Sequence, residues 1–240
     1  MKKNAVIMAG GKGTRMKSDL PKVLHTILGK TMIERDYESI REAGAERIVI
    51  IVGYRHDLVE KEMEGKCEFA VQEPQLGTGH AVMQARQLEN EEGLTLVANG
   101  DCPCVRPSTY AALYETCKDA DMVILTAELP EERPYGRVIR NADGTVEKIV
   151  EYKDATDAEK EVREVNMGIY CFNNKSLWEG LALLNNDNAQ HEYYITDLVE
   201  IMNRLGHTVK ALTANDWQEV QGCNDKAELA GAEEYLRTRD

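Results

Sequence analysis

Apolar residues in this chain fall in short runs that end at glycine, and between those runs they recur at helical spacing. Ala5–Ala9 stops at Gly10-Gly11, as a buried strand feeding a loop does. Arg47–Val52 (RIVIIV) and Leu94–Asn99 are largely apolar, which predicts strands covered on both faces. Cys67–Gln72 and Met122–Ala127 read as two more strands. Thr31–Ala43 carries its apolar side chains at helical spacing and ends before Gly44. His56–Met63, Thr78–Leu88 and Pro107–Cys117 predict further helices, the last opened by a proline suited to a first turn. Strands alternating with helices imply βαβ crossovers and a mostly parallel sheet.

Beyond residue 130 the pattern changes. Val138–Arg140, a turn at Asn141-Ala142-Asp143-Gly144, and Val146–Glu151 read as a β-hairpin, followed by a strand at Val165–Phe172. Helices are expected at Lys175–Leu184, Tyr194–Leu205 and Asp225–Arg237, with a strand at Thr208–Leu212. The fold class is therefore α/β: a Rossmann-like mixed, mostly parallel sheet flanked by helices, with an inserted antiparallel β portion. Residues 1–224 are expected to form one domain, and 225–240 a C-terminal helix that could begin a linker to a second domain.

Composition narrows the function classes. The chain has 240 residues, of which 42% are hydrophobic and 30% charged, as in ordinary soluble domains. Its formal net charge of −13 argues against a broad nucleic-acid surface or a polybasic membrane anchor. No apolar run approaches the roughly 20 residues needed to span a bilayer. The apolar stretch behind Met1-Lys2-Lys3-Asn4 is too short for a secretory signal, so a cytoplasmic protein with reduced thiols is expected of the six cysteines. An anionic ligand would need positive charge concentrated at one place. Residues 1–18 supply Lys2, Lys3, Lys12, Arg15 and Lys17 with no acid, and Lys22 follows.

In open α/β sheets ligands bind beyond the carboxyl ends of the strands, which directs attention to the loops after the first strand and after Leu94–Asn99. The first loop, Gly10-Gly11-Lys12-Gly13-Thr14-Arg15-Met16, lets backbone N–H groups approach phosphate oxygens. Taken alone it reads equally as a flexible glycine turn with solvated bases. It is neither a Walker A loop nor a dinucleotide fingerprint, because the required Gly-Lys-Ser/Thr and third glycine are missing.

The stretch Val6–Met16 followed by Leu20-Pro21-Lys22-Val23-Leu24-His25 resembles the signature of the sugar-1-phosphate nucleotidyltransferases. The resemblance is closest to the uridyltransferase domain of the bifunctional bacterial GlmU family, and it runs on in order along the chain. Gln72 and Gln75-Leu76-Gly77-Thr78-Gly79-His80-Ala81 continue it, then Asn99-Gly100-Asp101, Tyr135-Gly136-Arg137-Val138, Ile149-Val150-Glu151 and Asn166-Met167-Gly168-Ile169-Tyr170. Asn188-Ala189-Gln190, Glu192-Tyr193-Tyr194 and Gly222-Cys223-Asn224 complete the set.

The resemblance implies the nucleotide-diphospho-sugar transferase fold and a Mg²⁺-dependent uridylyltransferase, with UTP and N-acetylglucosamine-1-phosphate as substrates in cell-wall precursor synthesis. Arg15 and Lys22 match the catalytic cationic residues that contact triphosphate and substrate phosphates, jobs that suit a guanidinium fork and a compact ammonium. Met8, Ala9, Gly10, Gly11, Gln72, Gly77, Thr78, Asn99 and Gly100 match nucleotide-binding positions. Gly136, Glu151 and Asn166 match the sugar site, and Asp101 and Asn224 the Mg²⁺ ligands, a hard-oxygen set. Without the resemblance, Asp101 reads as a turn or capping residue, Asn224 as an N-cap of the last helix and Gln72 as a polar strand end. His80 reads as a packing residue, since a phosphate nucleophile is already ionised at pH 7. No hexapeptide repeat follows residue 225, so the acetyltransferase activity and trimerisation supplied by the family's β-helix domain are not expected of this chain, and a monomer is compatible with it. Another sugar phosphate as substrate, or a non-catalytic nucleotide-sugar-binding role, remain the alternative readings.

Overall fold

The computed structural model describes residues 1–188 and 190–239. Ala189 of the expected Asn188-Ala189-Gln190 motif and Asp240 at the end of the expected C-terminal segment lie outside the described residues. In chain order the strands are β1 (Lys3–Met8), β2 (Thr26–Ile27), β3 (Lys30–Thr31), β4 (Arg47–Val52), β5 (Glu68–Val71), β6 (Leu94–Asn99) and β7 (Met122–Glu128). They continue with β8 (Arg137–Arg140), β9 (Val146–Val150), β10 (Glu164–Asn173) and β11 (Val209–Thr213). The helices are α1 (Met32–Glu42), α2 (His56–Glu62), α3 (Thr78–Met83), α4 (Pro107–Thr116), α5 (Asp157–Lys160), α6 (Asn174–Leu181), α7 (Leu198–Leu205) and α8 (Lys226–Arg239).

The main sheet runs in the order β11-β7-β10-β6-β1-β4-β5, with the β8–β9 hairpin branching from β10. Along that path β10 alone runs against its neighbours, pairing antiparallel with both β6 and β7. The antiparallel portion thus enters the middle of the sheet. The start of β10 lies at the edge where the parallel strands end, which brings Asn166 to that edge opposite Thr126.

Alternating side chains send each central strand into two cores. Ala5 and Ile7 of β1 pack with Ile48 and Ile50 of β4 beneath α1, α2 and α4. Val6, Val49 and Ile51 face the opposite way, with α3, α6 and α7. Each fully buried Ile or Val on these strands stabilises the fold by about 1.5–3 kcal/mol relative to exposure. A third, smaller cluster joins Met16, Ile27, Met32, Cys104 and Cys223 to Leu236 of α8.

Differences from the sequence expectations are local. The expected helix Thr78–Leu88 ends at Met83, because Ala85 leaves helical geometry at ψ 44°, and a 3₁₀ turn takes up Arg86–Leu88. The helix expected from Tyr194 opens as a 3₁₀ turn at Ile195–Asp197 before α7. The helix expected over Lys175–Leu184 starts at Asn174, where the Asn173 side chain accepts from two backbone N–H groups, and stops at Leu181. The short β2–β3 hairpin and α5 carry too few residues to show a periodicity, and the sequence reading did not place them.

Candidate functional site

Two groups of side chains meet at the carboxyl edge of the sheet, around the ends of β1 and β6. The first is a charged knot. After β1 the chain turns through Gly13, whose φ of 65° is left-handed and where an added Cβ would lie 2.5 Å from Cβ of Lys22. The loop is thereby pressed against the Lys22 stem. The Lys22 ammonium donates to Oδ2 of Asp101 and, at 3.1 Å, to Oδ1 of Asn224.

The Lys22 and Asp101 side chains are only 17% and 13% exposed. Asp101 is fixed through its backbone as well, since its carbonyl accepts from the Cys223 N–H at 2.8 Å. Asp101 does lie in a turn after β6, as one reading of the sequence had it, but the two cap readings are excluded. Asp225, not Asn224, caps α8, its Oδ1 accepting from the N–H groups of Ala227 and Glu228 at 2.9 Å each. The Asp101 carboxylate holds an ammonium, and α4 has Arg106 at its N-cap position.

Behind Asp101 stands a residue the sequence reading missed. Asp36 of α1 is 1% exposed, and its Oδ2 accepts from the Cys102 N–H at 3.3 Å. Its Oδ1 is buried beside the Tyr110 hydroxyl of α4. Burial, reinforced by the Asp101 charge, pushes the Asp36 carboxyl well above the usual carboxylate range. A signal existed: Met32, Ile33, Asp36 and Ile40 are the buried positions of α1, so an acid interrupts the apolar stripe.

The second group is a cleft of about 210 Å³ whose wall includes Asn99, Gly136, Glu151, Asn166, Tyr170 and Thr196. Met8 and Thr78, expected on the nucleotide side, line this same cleft. Asn166 is held at both ends of its amide, donating to the Tyr170 hydroxyl at 2.7 Å and accepting from the Gly168 N–H at 3.0 Å. One amide hydrogen stays available to a ligand. Asn99 donates to the Gly168 carbonyl at 3.2 Å, tying β6 to β10 across the cleft floor. The Thr196 hydroxyl donates to Oε1 of Glu151 at 3.4 Å. Burial raises the Glu151 carboxyl, opposed by that hydrogen bond. Thr196 and Tyr170 escaped the sequence reading as site residues, because neither a lone threonine in a 3₁₀ turn nor a tyrosine within a strand carries a distinguishing pattern.

On the other side of β1, Gln72 follows β5 and is 6% exposed. Its Nε2 donates to the Gly77 carbonyl at 2.9 Å and lies 3.2 Å from Nδ1 of His80. Its Oε1 faces Gly10, where an added Cβ would approach it to 3.3 Å. Burial lowers the His80 pKa, which keeps the ring neutral and accords with a packing role. Gln75 donates to the Gly10 carbonyl, and the Thr78 hydroxyl accepts from the Ile195 N–H at 3.1 Å. Gly10 and Ala9 are buried, Gly11 is open, and the Gly100 N–H donates to the Met8 carbonyl at 3.0 Å.

Arg15 projects, exposed, from the 3₁₀ turn Thr14–Met16. The Lys12 ammonium sits 5.2 Å from the Tyr54 ring centre. The expected concentration of base at this loop needs correction. Lys2 and Lys3 stand at the other end of β1, about 17–20 Å away at about 3.3 Å per residue. There Lys2 pairs with Glu91 at 3.0 Å and Lys3 donates to the Ala43 carbonyl at 3.1 Å. The local charge comes from Lys12, Arg15, Lys17 and Lys22.

The nucleotidyl transferase family model matches residues 4–227, nearly the whole chain. The chain belongs to the nucleotidyl transferase family. The bifunctional protein GlmU of Geobacillus thermodenitrificans (strain NG80-2) is 46% identical over 242 residues, covering 100% of this chain and 53% of that protein. The GlmU proteins of Limosilactobacillus reuteri (strain DSM 20016) and Bacillus cereus (strain G9842) are each 44% identical, covering 99% and 98% of this chain. The family resemblance read from the ordered motifs is thus borne out over the full length of this nucleotidyl transferase chain. The chain spans about half the length of the curated relatives it matches. No described helix is long and apolar enough to cross a membrane.

Proposed function

We propose that this nucleotidyl transferase joins UTP and N-acetylglucosamine-1-phosphate to give UDP-N-acetylglucosamine and pyrophosphate. The observation that carries the reading is the convergence of Lys22, Asp101 and Asn224 beside the cleft lined by Glu151 and Asn166. A phosphate oxygen of the sugar phosphate attacks the α-phosphorus, and the bond from that phosphorus to the oxygen bridging it to the β-phosphorus breaks, that oxygen becoming a terminal oxygen of pyrophosphate. The electron pair leaves with pyrophosphate, and no proton need be removed from the nucleophile. Catalysis is then positioning and charge neutralisation.

Each residue has a task its chemistry allows. Arg15 steadies the departing pyrophosphate with a planar fork of donors, and Lys22 holds phosphate oxygens by its ammonium. Gln72 and the Gly77-Thr78 backbone read the uracil edge. Glu151 accepts from sugar hydroxyls, and Asn166 donates its remaining amide hydrogen to the sugar substituents.

The Asp101 carboxylate and Asn224 amide oxygen fit a hard cation, since both already accept from the positive charge of Lys22. Mg²⁺ held by these two residues would neutralise charge on substrate phosphates. Residues 1–224 serve as the catalytic unit in this proposal, supported by Leu236 being the only buried residue of α8. A cytoplasmic setting belongs to the same reading, supported by six cysteines that stand free.

The test is pyrophosphate release from UTP and N-acetylglucosamine-1-phosphate with Mg²⁺ at about millimolar substrate. Absence of release would refute the activity. Release with a galactosamine or glucose phosphate in preference, in direct competition, would move the assignment to that sugar.

A further inference from the structure

We infer that Asp36 is a positioning residue for the Asp101 loop. It sets the direction of the Asp101 carboxylate from behind by accepting a hydrogen bond from the backbone N–H of Cys102. The inference rests on the proposed cation role of Asp101 and deepens it.

A carboxyl group on the buried face of α1 is 1% exposed, and it replaces apolar area that a leucine or valine would supply there. Such a group persists where it satisfies something else that is buried. The Cys102 N–H is that something. Cys102 is 1% exposed, and the loop just after β6 offers its N–H no strand partner. With the Asp36 acceptor removed, a buried donor would be orphaned at a cost of about 1–3 kcal/mol, and the loop would turn to recover it.

That loop has little room to turn without moving Asp101. The peptide between Asp101 and Cys102 is pinned on both sides. Its N–H is held by Asp36, and its carbonyl accepts from the Cys223 N–H at 2.8 Å. Cys223 is the neighbour of Asn224, whose amide oxygen meets the same Lys22 ammonium as Asp101. One peptide plane therefore ties α1 to both proposed cation ligands. Its rotation would swing the Asp101 side chain away from Asn224.

The second oxygen of Asp36 lies beside the Tyr110 hydroxyl of α4, buried with it. This side of the carboxyl carries no bond that the inference needs. A carboxyl and an amide have nearly the same shape and can both present an oxygen to the Cys102 N–H. Asn at position 36 should therefore replace Asp, whereas Leu, of similar volume and without an acceptor, should not.

The experiment measures Mn²⁺ binding by electron paramagnetic resonance in the presence of UTP, for wild type, Asp36→Asn, Asp36→Leu and Asp101→Ala. Metal-free UTP binding is measured alongside. Asp36→Asn is expected within about two-fold of wild type. Asp36→Leu is expected to weaken Mn²⁺ binding about five- to ten-fold, the equivalent of about 1–1.4 kcal/mol, with metal-free UTP binding unchanged. Wild-type Mn²⁺ affinity in Asp36→Leu overturns the inference, and so does an Asn variant as weak as the Leu variant. Asp101→Ala separates this from the function reading, because unchanged Mn²⁺ binding there refutes the cation site itself. If Asp36→Leu does not fold, amide hydrogen exchange decides the matter in the wild-type protein. Slow exchange at Cys102, comparable with β6, supports the inference, and fast exchange at that amide overturns it.

Discussion

Nζ of Lys22 lies 3.1 Å from Oδ1 of Asn224 and donates also to Asp101, so that three distant segments of the chain meet on one ammonium. Lys22 comes from the first loop, Asp101 from the end of β6, and Asn224 from the turn before α8. The arrangement means that two oxygens proposed for a divalent cation are already satisfied by a monovalent one. A cation taking both oxygens would release the ammonium, which then becomes free to hold a phosphate.

Lys22→Met should expose this competition. The Asp101 carboxylate would be left largely buried without its partner, costing about 1–3 kcal/mol of stability. Added Mg²⁺ or Mn²⁺ would then raise the melting temperature of the variant by more than it raises that of wild type, because only the variant has a vacant carboxylate. Turnover should fall by about 10²-fold or more with the phosphate contact gone. Thermal melts with and without the cation, beside a pyrophosphate assay, check both halves. Equal stabilisation of the two proteins would argue that Asp101 and Asn224 are not a cation site.

Gln72→Ala removes a buried amide that holds the Gly77 carbonyl at 2.9 Å and turns Oε1 toward the first loop. A hydrogen bond of this kind contributes about 1–1.5 kcal/mol, so the KM for UTP should rise about ten-fold. kcat should change less, because the amide makes none of the bonds of the charged knot. Steady-state kinetics against UTP and CTP test the point. A KM within two-fold of wild type would remove Gln72 from the base site.

How far the sequence carried this reading depended on what kind of signal each residue gives. Buried strands such as RIVIIV announce themselves, because both faces must be apolar, whereas Asp101 and Asn224, 123 residues apart, were named together only through the family resemblance of their motifs. What the pattern could not show was β10 entering the centre of the sheet against its neighbours, since strand direction leaves no mark on hydrophobic periodicity. Nor could it show that Lys2 and Lys3 lie at the wrong end of β1 for a phosphate loop. Sequence nearness to Gly10 was misleading there, because a strand separates them. Thr196 was hidden because its role depends on one contact with Glu151, made across 45 residues of chain.

Glu151 predicts an acid limb in sugar binding. Burial raises its carboxyl, so it is protonated at a pH where an exposed glutamate would be ionised. The ionised form is the stronger acceptor, with both oxygens open to sugar hydroxyls. As pH falls through the raised pKa, the carboxylate is lost and the KM for the sugar phosphate rises. Glu151→Gln should show a higher KM at neutral pH that no longer depends on this titration. KM measured from about pH 4.5 to pH 8 for both proteins would decide it, and an identical acid limb in the variant would assign the titration elsewhere.

Asp197 makes the last prediction, one of stability. It begins at the N-terminal end of α7 with no side-chain cap bond, half-buried among Glu200 and Asp154, and desolvation followed by those charges raises its pKa to about 6. The ordinary value is 3.8. Between these two values the folded protein binds more protons than the unfolded chain, so stability falls as pH rises through that window and does not return above it. Asp197→Asn removes the titration and keeps the size of the side chain. The helix dipole favours a negative charge at this end, which trims the gain without reversing it. The variant should melt higher than wild type at pH 7.5, with the difference shrinking as the pH is lowered toward 4. Thermal melts at those two pH values test it, and a difference that grows toward low pH would show the Asp197 charge to be stabilising instead.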